Sequence, residues 1–147
     1  KATLVEKYTD PNGLGGKINM TAAVSDGLKS AIRSARIING NSLEVKDELT
    51  ALSYRTAQIQ WRMNTAASVT VSDNEIVLTQ GGKSMSLKVV SSNPDVVPVL
   101  QDFGRTRPST WTKRDWDTSL TNNIVGFSAS VPSGKSVTLT TTLTPKN

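Results

Sequence analysis

The stretch Ile37-Ile38-Asn39-Gly40-Asn41-Ser42-Leu43-Glu44-Val45 sets an Asn-Gly pair between two apolar runs. Asn-Gly is the strongest short-range hairpin signal, because a type I′ turn needs positive φ at both central positions and these residues tolerate it. The pair decides a segment that is otherwise ambiguous. Leu28, Ala31, Ile32, Ala35 and Ile38 fall at helical spacing, but a hairpin turn directly after them makes them a strand. Leu43, Val45, Asp47 and Leu49 then continue one face of the returning strand.

The same alternation extends in both directions. Upstream, Ile18, Met20, Ala22 and Val24 read as a strand, preceded by Asp10-Pro11-Asn12-Gly13-Leu14-Gly15-Gly16, where proline fixes φ and glycine keeps backbone freedom. Residues 1–17 are therefore expected to form an N-terminal linker, and residues 18–147 a single domain. Downstream, Ala57, Ile59, Trp61 and Met63 alternate with Gln58, Gln60 and Arg62, which gives a strand with one wet face and Trp61 as the largest core anchor. Val69 and Val71 pair with Ile76 and Leu78 around Ser72-Asp73-Asn74, and Gly81-Gly82 turns the chain before Met85, Leu87 and Val89. In Val96-Val97-Pro98-Val99-Leu100 the proline has no N–H to donate, which assigns the segment to a sheet edge. Val125 to Val131 and Val137 to Leu143 complete the series, the latter rich in threonine. The sum is an all-β chain, an antiparallel β-sandwich of about nine short strands.

At 147 residues, with 36% apolar and 20% charged residues, the chain has the size of one domain. It contains no Cys and no His, so it offers no thiolate nucleophile, no imidazole base and no nitrogen or sulfur ligand for zinc. No metal and no cofactor is expected. No apolar run approaches the ~20 residues of a membrane span, and the first residues lack the apolar core of a signal peptide. A first residue of Lys1 rather than Met suggests a piece of a longer protein. The net charge of +5 favours a polyanion, but the basic residues are scattered and form no run of five, which argues against nucleic acid as the partner.

The longest irregular stretch, residues 101–123, holds Arg105, Arg107, Trp111, Lys113, Arg114 and Trp116. Indole rings stack on sugar faces, and Arg and Lys hold carboxylate, sulfate or phosphate, so these six residues form the candidate glycan-binding set. The structural alternative is that both tryptophans pin a long loop to the sandwich while the charges stay solvated. Asp102, Asp115 and Asp117 lack the spacing of a calcium loop. Glu44, Asp47 and Glu48 read as strand-edge charges that discourage edge-to-edge association. Tyr54-Arg55 is the one place where arginine stands next to a phenol able to act as a base, against the simpler reading of a packed tyrosine with a wet hydroxyl.

The order of motifs also carries a resemblance. Ser30-Ala31-Ile32-Arg33-Ser34-Ala35-Arg36-Ile37-Ile38, Asn39-Gly40 and Leu43-Glu44-Val45-Lys46-Asp47-Glu48-Leu49 are followed by Gln60-Trp61-Arg62-Met63-Asn64-Thr65, Val69-Thr70-Val71, Ile76-Val77-Leu78 and Gly81-Gly82. Over residues 18–103 this series resembles the C-terminal β-domain of heparinase II/III-type polysaccharide lyases. The resemblance implies an α/α toroid ahead of a β-sandwich, cleavage of uronic-acid polysaccharides by β-elimination, and a periplasmic or extracellular location. It implies catalytic Asn, Tyr and His residues largely in the toroid, and a histidine and metal site earlier in the β-region. None of these transfers to a chain without histidine. The expectation is a non-catalytic C-terminal module whose partners are the missing N-terminal catalytic domain and an acidic polysaccharide. The alternative is an autonomous carbohydrate-binding or immunoglobulin-like adhesion module.

Overall fold

In the computed structural model, which describes residues 1–10, 13–104 and 123–147, the alternating segments become antiparallel strands. Those of the first half are β1 (Thr3–Tyr8), β2 (Gly15–Asn19), β3 (Leu28–Ile38), β4 (Ser42–Ala51), β5 (Ala57–Thr65) and β6 (Ser68–Val71). Those of the second half are β7 (Ile76–Gln80), β8 (Lys83–Ser91), β9 (Val99–Gly104), β10 (Asn123–Val131) and β11 (Ser136–Lys146). They form one eight-stranded sheet, β1-β2-β3-β4-β11-β8-β7-β6, and one three-stranded sheet, β5-β10-β9. The fold class is the expected all-β sandwich, with eleven strands described where about nine were anticipated.

The deciding turn has the backbone its sequence demands. Asn39 and Gly40 have φ of 52° and 73°, and the Asn41 N–H donates to the Ile38 carbonyl at 3.3 Å. Ile37 then faces Leu43 and Ala31 faces Leu49 across β3 and β4. Apolar residues on alternate positions of both sheets meet between them. Phe127, Ile76, Leu87, Leu139, Val125 and Val131 are fully buried, each contributing roughly 1.5–3 kcal/mol of burial. Trp61 is the core anchor that its strand pattern indicated, 8% exposed, with its ring stacked on Phe127 at 5.9 Å between centroids.

The first seventeen residues differ from the linker expected of them. β1 pairs with β2, and β2 with β3, so they extend the larger sheet. Gly15 and Gly16 serve close approach rather than freedom: a Cβ on Gly15 would overlap the Ala35 carbonyl oxygen. The expected strand at residues 18–24 instead breaks after Asn19. The Asn19 side chain accepts the Thr21 N–H at 2.9 Å, and the Thr21 hydroxyl accepts the Ala31 N–H at 3.0 Å, which turns the chain through a 3₁₀ turn at Thr21–Ala23. The expected edge segment is realised as β9, at the edge of the smaller sheet, with Pro98 just outside it, directly before its first residue.

Candidate functional site

The six residues singled out for glycan contact, Arg105, Arg107, Trp111, Lys113, Arg114 and Trp116, lie outside the described residues, as do Asp115 and Asp117. The strands that flank them are described. β9 ends at Gly104 opposite Ile124, and β10 begins at Asn123 opposite Thr65 of β5, so both ends of the segment are held at one end of the smaller sheet. There the Arg62 guanidinium lies 4.7 Å from the centre of the Phe103 ring. The adjacent Asp102 carboxylate accepts the Gly104 N–H at 2.8 Å.

A cleft of about 450 Å³ opens elsewhere, between the 3₁₀ turn, the inner faces of β3 and β4, and the start of β5. Its walls include Leu28, Leu49, Ile59 and Trp61. Among its polar groups, Arg33 and Asp47 stand opposite each other on neighbouring strands. Arg33 Nε and Nη2 donate to the two Asp47 carboxylate oxygens at 2.7 and 3.0 Å, a bidentate pair in which the Asp47 side chain is 5% exposed and Arg33 38%. This overturns the strand-edge reading of Asp47. β4 is an interior strand between β3 and β11, so its inward carboxylate is buried and needs the arginine. With both oxygens engaged, Asp47 is built into the wall as a structural group and is not poised as a base. Glu44 and Glu48 face outward on the same strand and pair with Arg36 and Lys17.

Tyr54 and Arg55 do not assemble a reactive pair. Tyr54 is 80% exposed, and the Arg55 guanidinium donates to the Asp26 carbonyl at 3.1 Å. Among the described residues no three carboxylates gather closely enough to hold a metal, and the sequence supplies no His or Cys, so the metal site implied by the resemblance does not fit this chain. No helix among the described residues is long and apolar enough to cross a membrane.

The two-sheet architecture, with a long hairpin-built sheet and a short three-stranded partner, has clear counterparts among solved structures. A heparan sulfate lyase from Pedobacter heparinus matches 100% of the chain at a TM-score of 0.71 and 12% identity, and a second structure of such a lyase from that organism matches it at 0.69 and 14%. The fold of this chain is similar to that of a segment of these lyases. A structure of a heparinase III gene product gives a TM-score of 0.69 at 10% identity over 99% of the chain. This chain spans only 22% of the first of these lyases and 21% of the heparinase III gene product. No family model and no curated protein sequence matches it.

Proposed function

We propose that this chain is a non-catalytic C-terminal β-sandwich module of a heparinase III-like polysaccharide lyase, bracing the catalytic domain and lining its acidic-glycan cleft. The observation that carries the reading is the fold match, which takes in the whole of this chain and about a fifth of the lyase. The residue inventory supports it. β-Elimination needs a group that neutralises the uronate carboxylate, a base for the C5 proton and an acid for the leaving oxygen. This chain has no histidine, its Asp47 is locked to Arg33, and its exposed Tyr54 stands apart from a prepared site. The parent protein, not the module, would carry out elimination, in the periplasm or outside the cell.

The surface supports a bracing role over an autonomous adhesion module. Leu4 and Val5 of β1, Leu14 just before β2 and Ile37 near the end of β3 are all exposed and lie in or beside the neighbouring strands of one wing of the larger sheet. Exposed apolar residues grouped on one wing suit a face that another domain covers. On this reading Trp111 and Trp116 stack on sugar rings, while Arg105, Arg107, Lys113 and Arg114 meet carboxylate or sulfate.

The test is binding of the chain to heparan sulfate, a neutral glycan and DNA at low and moderate salt, beside Trp111→Ala and Trp116→Ala, with release of unsaturated uronate followed in parallel. Selective heparan sulfate binding that falls with either substitution, and no cleavage, is the expected result. Cleavage by the chain alone would overturn the non-catalytic assignment. Equal, salt-sensitive binding to every polyanion would remove the cleft-lining role.

A further inference from the structure

The outward face of the smaller sheet has a composition that folding does not require. Strand pairing sets Gln58 beside Ser130, Gln60 beside Ser128 and Arg62 beside Gly126, with Val99 and Gln101 of β9 continuing the last two rows. Exposed sheet faces are commonly filled with β-branched residues, which suit the pleat. Here short hydroxyls and flexible amides take their place. They are ordered among themselves: Ser130 Oγ donates to Gln58 Oε1 at 2.7 Å, and Gln101 Nε2 donates to Ser128 Oγ at 2.9 Å. That arrangement leaves the Gln58 amide donors, the Ser128 hydroxyl proton and the Gln101 carbonyl for an outside partner, and the Gln60 and Asn64 amides have no hydrogen bond among the described residues.

The face also has relief. A depression of about 280 Å³ opens at one end, where Val97 and Val99, exposed at 68% and 53%, stand beside Gln58, Ser128, Ser130 and the Asp95 carboxylate. At the other end Gly126 contributes no side chain, and Arg62 reaches Phe103. Apolar ground next to paired donors and acceptors matches a pyranose ring, which has an apolar C–H face and an equatorial rim of hydroxyls. The spacing suits a chain rather than a single sugar, since Gln58 to Asn64 spans about 20 Å along the strand. Arg62 is the one cation of the β5 row and has no carboxylate partner among the described residues, so it remains open to a carboxylate or sulfate on that chain.

We infer that the outer face of β5-β10-β9 is a second glycan-binding surface, built from residues other than those of 105–122, that holds one run of an acidic polysaccharide. One sugar ring sits over Val97 and Val99 with its hydroxyls on Gln58, Ser128 and Ser130, and an acidic group of the same chain meets Arg62. The acidic character of the glycan rests on the proposed lyase reading; the polyol chemistry rests on the face itself.

A heparan sulfate octasaccharide, titrated into the 147-residue chain with backbone amide shifts and affinity both recorded, tests this. Amides of residues 58–62, 97–101 and 126–130 are expected to move. The double variant Gln58→Ala, Ser130→Ala should bind about tenfold more weakly, as expected for two lost hydrogen bonds. Arg62→Gln should weaken binding and flatten its salt dependence. All three positions are at the surface, so unchanged melting temperatures will show that the fold is intact. Wild-type affinity in these variants, or shifts confined to other faces, overturns the inference. If only Trp111→Ala and Trp116→Ala reduce binding, this surface falls while the proposed function stands. If the chain itself cleaves the octasaccharide, the non-catalytic reading falls whatever the variants do.

Discussion

Gly126 sits in the middle strand of the smaller sheet, and a Cβ built there would overlap the Trp61 carbonyl oxygen across the strand pair. Backbone cannot give way as a flexible side chain can, so Gly126→Ala is expected to destabilise the fold by about 3 kcal/mol or more, read as a lowered denaturant midpoint. A shift below ~1 kcal/mol would mean that the two strands separate easily. Asp47 offers a different contrast. Asp47→Ala leaves Arg33 facing the core without its partner and should cost about 2–3 kcal/mol, less than a fully buried pair because Arg33 remains partly exposed. Arg33→Met with Asp47→Leu should recover most of that loss, which equilibrium unfolding of the two variants will show. Glu75 links residue chemistry to pH. The Lys146 ammonium at 2.7 Å, followed by the Ser86 hydroxyl, holds its carboxyl below the ordinary 4.5. A lowered folded-state value stabilises above the unfolded value, and that contribution disappears as pH falls through the folded one. Wild type should therefore be more stable than Glu75→Gln near neutrality, with the difference closing below pH 4.5. A difference that stays constant with pH would rule the ion pair out as its source.

Among the elements, β1 contributes no residue to the buried core, and its residues are exposed except for a half-buried Tyr8. Removal of residues 1–10 should leave the sandwich folded and lower the melting temperature by under about 4 °C, as followed by circular dichroism. A cooperative loss of structure would mean that the wing supports the core. The wing was also the least legible part of the sequence. Its glycines and Pro11 look like a flexible linker, and only the register of β2 against β3 shows that Gly15 is there because two backbones come close. Period-two alternation located most strands because one face of each is buried, and Asn39-Gly40 placed a turn whose positive φ values few residue pairs favour. Met20, Ala22 and Val24 misled because side chain to backbone bonds at Asn19 and Thr21 outweigh the pattern. Of the proposed glycan-binding residues, the aromatic and basic ones of 105–122 stand out in the sequence by type. The Gln58, Ser128 and Ser130 face does not, since its members are chemically ordinary and become neighbours only through the pairing of strands about seventy residues apart.

For the molecule as a whole, the order of strands governs how the fold can form. The local hairpins β3-β4, β6-β7 and β7-β8 need only short turns, but each sheet also depends on distant partners: Trp61 with Phe127 in one, Leu49 with Val137 in the other. Long-range pairing must bear loop-closure entropy before contacts reward it. Refolding from denaturant is expected on the millisecond-to-second scale, and a microsecond phase carrying the full amplitude would contradict this. One strand has a particular place in that scheme. β11 lies between β4 and β8, at the centre of the larger sheet, although it is the last strand of this chain to be made. During synthesis the earlier strands emerge from the ribosome with a gap where β11 belongs, and two unpaired edges wait on either side of it. The sheet closes only when Ser136–Lys146 has cleared the exit tunnel. Until then the nascent chain presents open strands to chaperones, to proteases and to its neighbours on the same message.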